Sequence, residues 1–324
     1  MQVLVTGGAG YIGSVIVEEL LAAGHQVVVY DALIKGHLDA IHPEAVFVRA
    51  HLAERDHLRQ TLEEQQIEAV IHMAAFSLVA ESVTHPEWYF ENNVVGSLAV
   101  VQSMMQAGVK RLVFSSTAAL YGEQERIPIS EDAPTQPTNP YGQAKLIVEQ
   151  MLPWLGQAHG LVCTSLRYFN AAGATERYGE DHHPETHLIP LVLAAAQEDR
   201  QVDINGTDYP TPDGTCVRDY IHVVDLAQAH IQALTRTEPG LRIYNLGNGQ
   251  GYSVRQVVES ARRVTGRAIP ICEGPRRAGD QVMTVASSER MRSELGWQPR
   301  YPDLDSIIES AWRWKRAHPL GYTK

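Results

Sequence analysis

Through the first half of the chain, short apolar runs rich in Val, Ile and Leu alternate with longer stretches in which apolar residues recur every three or four positions. The short runs predict strands at Gln2–Val5, Gln26–Tyr30, Ala45–Val48, Ala69–His72, Arg111–Ser115 and Val162–Arg167. The longer ones predict helices at Ile12–Ala23, Leu52–Glu64, Val94–Ala107 and Tyr141–Leu155. Runs such as Val27-Val28-Val29 are continuously apolar, as a strand is when both of its faces are covered. Strands and helices in this alternation call for parallel pairing through crossover helices, so the predicted class is α/β, a Rossmann-like doubly wound parallel sheet.

Beyond Arg167 the texture changes. Asn170–Gly214 is rich in Gly, Pro, His and Asp, and its one clear helical run, Leu188–Ala196, is read as starting at Pro190. Loops of that density suggest a ligand-facing cap. Tyr244-Asn245-Leu246-Gly247 reads as a strand returning to the sheet, followed by helices near Ser253–Thr265 and Leu304–Lys315. A length of 324 residues suits about two domains. The pattern divides them into a nucleotide-binding domain over 1–170, with returning segments near 218–248, and a smaller mixed α/β substrate-binding domain over 171–324, built from non-contiguous pieces.

Composition narrows the partners. With 27 basic against 38 acidic residues the net charge is −11, which opposes binding to nucleic acid or to anionic membranes but not to a small anionic nucleotide. Three cysteines without a C-x-x-C pair suggest neither a disulfide framework nor a thiolate zinc site. The first apolar run is too short for a signal-peptide core, and no run reaches the roughly 18 residues of a membrane span, so the expected compartment is the cytoplasm.

Thr6-Gly7-Gly8-Ala9-Gly10-Tyr11-Ile12-Gly13 follows the first strand and opens a helix. In that context a glycine-rich turn lets a pyrophosphate approach the free amides and positive dipole of the helix N-terminus. Two registers fit, one starting at Gly7 and one at Gly8. Asp31, at the end of the second strand, suits the adenosine ribose hydroxyls and favours NAD over NADP, whose 2′-phosphate would meet a like charge. Asn139-Pro140-Tyr141-Gly142-Gln143-Ala144-Lys145 reads as a helix start with Asn139 as N-cap. Tyr141 and Lys145, four apart, share a face, and an ammonium beside a phenol is expected to lower its pKa and make it a general base. Ser115-Ser116-Thr117 supplies hydroxyls at the sheet's C-terminal edge, where doubly wound folds place ligands.

With these motifs in order, the chain resembles the extended short-chain dehydrogenase/reductase family, and within it the enzymes that invert C4 of UDP-galactose. The likeness extends over nearly the whole chain, through Ala74-Ala75, Asn92-Asn93-Val94-x-Gly96, Leu166-Arg167-Tyr168-Phe169-Asn170, His187-Leu188-Ile189-Pro190, Val217-Arg218-Asp219-Tyr220 and Arg276-Arg277-Ala278-Gly279-Asp280. The resemblance implies catalysis by Thr117, Tyr141 and Lys145, with NAD contacts from Gly7, Gly10, Tyr11, Ile12, Gly13, Asp31, Leu52, Ala74, Ala75, Asn93, Ser115, Tyr141, Lys145 and Tyr168. It implies UDP-sugar contacts from Thr117, Tyr141, Asn170, His187, Leu188, Arg218, Arg277 and Asp280, and a homodimer through helices such as Val94–Ala107 and Tyr141–Leu155. Thr284 is expected to wall the sugar pocket, where a small side chain leaves room for a C2 acetamido group. The competing readings are a nucleotide-sugar 4,6-dehydratase or decarboxylase and a silent NAD-sensing binder. Ala118-Ala119 stand where the resemblance would lead a dehydratase to carry carboxylates after Thr117. Asp181-His182-His183-Pro184-Glu185-Thr186-His187 is read as a loop over the substrate and not as a metal site, because Pro184 interrupts the helix that would align His183 with His187.

Overall fold

The computed structural model describes residues 1–277 and 279–322; Ala278, quoted above within the last motif, lies outside the described residues. Seven parallel strands form the main sheet: β1 (Gln2–Thr6), β2 (Gln26–Asp31), β3 (Val46–Arg49), β4 (Ala69–His72), β5 (Arg111–Thr117), β6 (Val162–Tyr168) and, after β7 (Asn170–Ala172), β8 (Val202–Asn205) and β9 (Val217–His222), the returning β10 (Gly240–Leu246). Their spatial order is β10-β6-β5-β4-β1-β2-β3, so the chain reverses direction across the sheet between β1 and β4 and opens a crevice beyond their carboxyl ends.

Strand periodicity explains why both faces are buried. Val3, Val5, Val27, Val29, Ala69, Ile71 and Val113 face one core, shared with Val15, Ile16 and Leu20 of the Tyr11–Ala22 helix and Leu226 and Ala227 of the Val223–Ala233 helix. The residues between them, Leu4, Val28, Tyr30, Val70, Leu112 and Phe114, face a second core with Leu58, Leu62, Val100, Met104, Val148 and Leu152. Successive side chains point to opposite faces, so an unbroken apolar run feeds two cores at once.

The remaining strands are short. β9 pairs with β7, with β11 (Gly251–Ser253) and with β13 (Met283–Thr284), while β8 pairs with β12 (Ile271–Gly274). Helices Leu188–Glu198, Val254–Thr265 and Leu304–Ala317 pack a third core around Val192, Val257 and Ile307. Three expected boundaries are corrected. The second helix begins at Arg55 rather than Leu52, behind the Glu54 N-cap. The expected Val94–Ala107 helix is a π-helical turn over Phe90–Val95 followed by an α-helix over Gly96–Gln106. Pro190 sits inside the first turn of Leu188–Glu198, where its missing N–H costs no helical bond, so it does not start that helix. Among the described residues, no helix is long and apolar enough to cross a membrane.

Three buried histidines make stability depend on pH. Burial holds His72 at about 3, with the nearby Lys145 charge adding to it, and holds His222 and His230 at about 4. Each imidazole takes up a proton near pH 6.5 in the unfolded chain but stays neutral in the fold until far lower pH. Their contribution is therefore complete above about pH 6.5 and is lost as pH falls toward about 4. The urea midpoint is expected to drop between about pH 7 and about pH 5, and an unchanged midpoint would mean that these rings titrate in the fold as free imidazoles do.

Candidate active site

The turn after β1 shows which glycines matter. Gly7 has φ +71°, and a Cβ there would lie 2.6 Å from the Ala74 amide nitrogen, so both conformation and space require glycine. A Cβ at Gly13 would overlap the Gly7 carbonyl oxygen, the close helix–strand approach that the third glycine of such a turn permits. At Gly8 an added Cβ would meet chiefly the Val29 side chain, at 3.0 Å, and the backbone does not adopt the left-handed conformation seen at Gly7. The register is therefore Gly7-x-x-Gly10-x-x-Gly13. No side chain caps the Tyr11–Ala22 helix and no acidic residue stands in its first turn, which leaves its N-terminal amides and dipole to an anion.

Asp31 closes this end. Its carboxylate accepts the Ala9 N–H at 3.0 Å and the Leu33 N–H at 2.8 Å, fixing the glycine turn to the end of β2, and it also faces the cavity. Burial raises its pKa against those two donors. Each oxygen keeps acceptor capacity for a ribose hydroxyl. Lys35, the neighbouring cation, lies 3.7 Å from the Glu81 carboxylate.

At the C-terminal edge of β5, Thr117 accepts the Ala119 N–H at 3.1 Å and Lys145 donates to the Ser115 carbonyl at 2.7 Å. The Pro140–His159 helix carries Tyr141 and Lys145 here. Asn139 caps it through the Gly142 N–H at 2.9 Å, with Pro140 in the first turn, as expected. Gly142 is a residue the sequence reading passed over. A Cβ on it would lie 2.6 Å from the Ala119 carbonyl oxygen, so its glycine lets the helix start settle against the turn that follows Thr117.

The electrostatics correct one expectation. Burial raises the Tyr141 pKa, and the group that opposes this is the Thr117 hydroxyl rather than Lys145. The Lys145 ammonium donates to the Ser115 carbonyl and lies 4.8 Å from the Phe114 ring centroid. Burial brings Lys145 itself down to about 7, with the Glu149 carboxylate acting the other way.

A second correction concerns Asn93. Its amide is buried, accepting the Phe76 N–H and donating to the Phe76 carbonyl, both at 2.9 Å, so it braces the strand end carrying Ala74 and Ala75 and does not line the cavity. Asn92 lines it instead, because the π-helical turn over Phe90–Val95 shifts which residue faces inward. Tyr168 lines the cavity with its ring, while its hydroxyl is held by the buried His230 and lies 3.5 Å from Met73 Sδ.

The other expected residues meet around a single cavity of about 870 Å³, a size suited to a large ligand. Gly7, Gly10, Tyr11, Ile12, Gly13, Asp31, Leu52, Ala74, Ala75 and Ser115 lie toward the glycine turn, and Asn170, His187, Leu188, Arg218, Arg277, Asp280 and Thr284 line the rest. Asp280 lies 2.9 Å from Arg277 and 3.9 Å from Arg218, while Arg218 also donates to the Val217 and Gln281 carbonyls at 2.9 and 2.8 Å. His187 is hydrogen-bonded to Glu180, whose charge raises its pKa to about 9. Asn205 also lines the cavity and was missed, although the alternation in Val202-Asp203-Ile204-Asn205 marks a strand.

Residues 3–247 match the model of the NAD dependent epimerase/dehydratase family. The chain belongs to this family. A UDP-glucose 4-epimerase of Lacticaseibacillus casei is 49% identical over 327 residues, covering 99% of each chain. A crystal structure of a UDP-glucose 4-epimerase superposes with a TM-score of 0.97 at 48% identity over 100% of both chains. A second, from Stenotrophomonas maltophila with bound NAD and formylated UDP-arabinopyranose, has a TM-score of 0.94 at 40% identity and covers 98% of this chain and 99% of that one.

The family's cofactor fits what this chain presents: a glycine turn whose space a Cβ would fill, an uncapped helix N-terminus for the pyrophosphate, and Asp31 at the ribose end. In this epimerase/dehydratase site, Gly142 is expected to be as sensitive as the side chains. Gly142→Ala should lower turnover of a nucleotide sugar by about 100-fold through a shift of Tyr141 of about 1 Å, with NAD content, read from released cofactor, unchanged. Normal turnover in that variant would show that the helix start tolerates displacement.

Proposed function

We propose that this chain is an isomerase that interconverts UDP-galactose and UDP-glucose by transient oxidation at C4 on NAD that stays bound. The observation that carries the reading is the meeting of Thr117, Tyr141 and Lys145 on the wall of a cavity that also takes in the glycine turn and the Arg218–Asp280–Arg277 group. The chemistry that NAD supplies when bound is reversible acceptance of a hydride. The chain's residues do the rest. Tyr141 takes the proton of the sugar 4-hydroxyl, with Thr117 donating a hydrogen bond that favours the phenolate. Lys145, fixed to the Ser115 carbonyl, holds a buried cationic donor beneath the same site. Arg218 and Arg277 hold the diphosphate by charge-assisted hydrogen bonds while the 4-keto sugar turns over, so that Tyr141 returns the proton on the opposite configuration.

Within this reading, residues 1–170 with the returning β10 hold the cofactor and 171–324 hold the nucleotide sugar. The protein works as a cytoplasmic homodimer; the exposure of Val95 and Trp154, at 50% and 74%, on the two helical segments expected to pair supports the dimer. Incubated with UDP-galactose and no added cofactor, the purified protein is expected to form UDP-glucose, measured by a coupled dehydrogenase. Tyr141→Phe should lower kcat by about 10²–10⁴-fold. Undiminished turnover in that variant overturns the assignment of Tyr141 as the proton-transfer group.

The sugar end supports a wider substrate range. Thr284 lines the cavity with a small side chain, and UDP-N-acetylgalactosamine is expected to be turned over as well. Thr284→Tyr should abolish that activity and leave UDP-galactose turnover within about threefold, since a steric wall discriminates by roughly 1–3 kcal/mol per lost methylene-sized space. Loss of both activities together would mean that Thr284 does not gate the C2 substituent.

A further inference from the structure

The segment between β7 and the Leu188–Glu198 helix brings four ligand-type side chains together. The ligand atoms of Glu180, His182, Glu185 and His187 all lie within 4.8 Å of one another. His182 Nδ1 is 3.1 Å from Glu180 Oε1 and 4.0 Å from Glu185 Oε2, and His187 Nδ1 is 3.6 Å from Glu185 Oε1 and in contact with Glu180. A tetrahedral ion with bonds of about 2.0–2.1 Å sets its ligands about 3.3–3.4 Å apart, so these spacings bracket that geometry. We infer that Glu180, His182, Glu185 and His187 form a binding site for a divalent transition ion of the zinc class, in the wall of the nucleotide-sugar cavity.

Three features separate this cluster from a chance gathering of surface charges. First, His182 Nδ1 is buried and, despite its closeness to Glu180, has no hydrogen-bond partner in bonding geometry, as expected of a lone pair aimed at an ion. Second, Glu185 is held by backbone donors of its own loop and Glu180 is buried. The Thr186 and His187 N–H groups donate to Glu185 Oε1 at 2.7 and 2.8 Å, and the Glu180 side chain is only 7% exposed. Outer-shell bonds of this kind orient metal ligands. Third, the loop is anchored: Asp181 accepts the Tyr322 N–H at 2.9 Å, and its carbonyl is 2.9 Å from His37 Nε2.

The donor set also chooses the ion. Two imidazoles and two carboxylates suit zinc and its neighbours, whereas magnesium and calcium prefer all-oxygen shells. Two carboxylates are matched in charge by one dication. An entry path exists because Glu180, His182 and His187 line the large cavity. The expectation of no metal rested on Pro184 interrupting a helix that would align His183 with His187, and on hydride transfer needing no metal. The segment is not helical, and it is His182 that meets His187, while His183 turns to Asp181 at 3.3 Å.

The test uses the full chain, treated with chelator, freed of it, and titrated with zinc chloride by calorimetry. One ion per chain is expected to bind saturably with micromolar or tighter affinity. Cobalt(II) on the unaltered protein should give the intense visible absorption of a tetrahedral complex. His182→Gln and Glu185→Gln, each checked for folding by circular dichroism, should weaken zinc binding by at least about tenfold. Equal binding in a folded variant, absence of saturable binding, or a weak octahedral cobalt spectrum overturns the site. Because the cobalt spectrum needs no substitution, failure of both variants to fold leaves the proposal open to refutation.

Discussion

The position of one helix against two strands decides whether this site exists. Gly142, Lys145 and Glu149 recur at spacings of three and four along Pro140–His159, so they share a face, and each meets a different anchor. Gly142 approaches the Ala119 carbonyl, Lys145 donates to the Ser115 carbonyl at 2.7 Å, and Glu149 takes the Arg167 guanidinium at 2.6 Å and the Ser165 hydroxyl at 2.6 Å. Both partners of the Glu149–Arg167 pair are at least 96% buried, with side-chain exposures of 3% and 4%. Such a pair adds little stability beyond an apolar replacement, but losing one partner costs about 3–5 kcal/mol. Its effect is therefore on register: a helix displaced by one turn would strand a carboxylate, a guanidinium and an ammonium away from their partners at once.

That register matters because Tyr141 is under opposing influences. Burial favours the neutral phenol and the Thr117 hydroxyl favours the phenolate. For the proton transfer proposed for Tyr141, the Thr117 hydroxyl acts against burial in the direction that removal of the phenol proton requires. The same burial brings Lys145 to about 7, so the cation beneath the site is itself poised near neutrality.

Much of this was legible along the chain because it is local. Unbroken apolar runs such as Val27–Val29 identified two-faced strands, and Asn139-Pro140 identified a helix start where the structure places the Asn139 cap and Pro140 in the first turn. What was not legible depends on distant segments. Nothing around Lys145 reveals that its partner is a carbonyl thirty residues earlier, on β5. Nothing around Asn93 reveals the π-helical turn that sends its amide to Phe76 and leaves Asn92 on the cavity. Strands of two or three residues, such as β13 and β11, carry no periodicity to read. The segment from Glu180 to His187 was judged by helical spacing, and a loop obeys no such spacing.

Net charge is a poor guide to this cavity for a related reason. A chain of charge −11 would repel an anion at long range, yet screening reduces that repulsion beyond about 8–10 Å. Within that distance the charges are arranged differently: an uncapped helix N-terminus free of acidic residues at one end, Arg218 and Arg277 at the other. Asp280 between the two arginines lowers the local positive charge, but it also restrains both guanidinium groups within one ion-paired group, with Arg218 further tied to two backbone carbonyls. Ordering a free arginine on binding costs up to about 2 kcal/mol in side-chain entropy. A pair already restrained loses less, so the carboxylate trades some attraction for preorganisation at the end of the cavity proposed to hold the diphosphate.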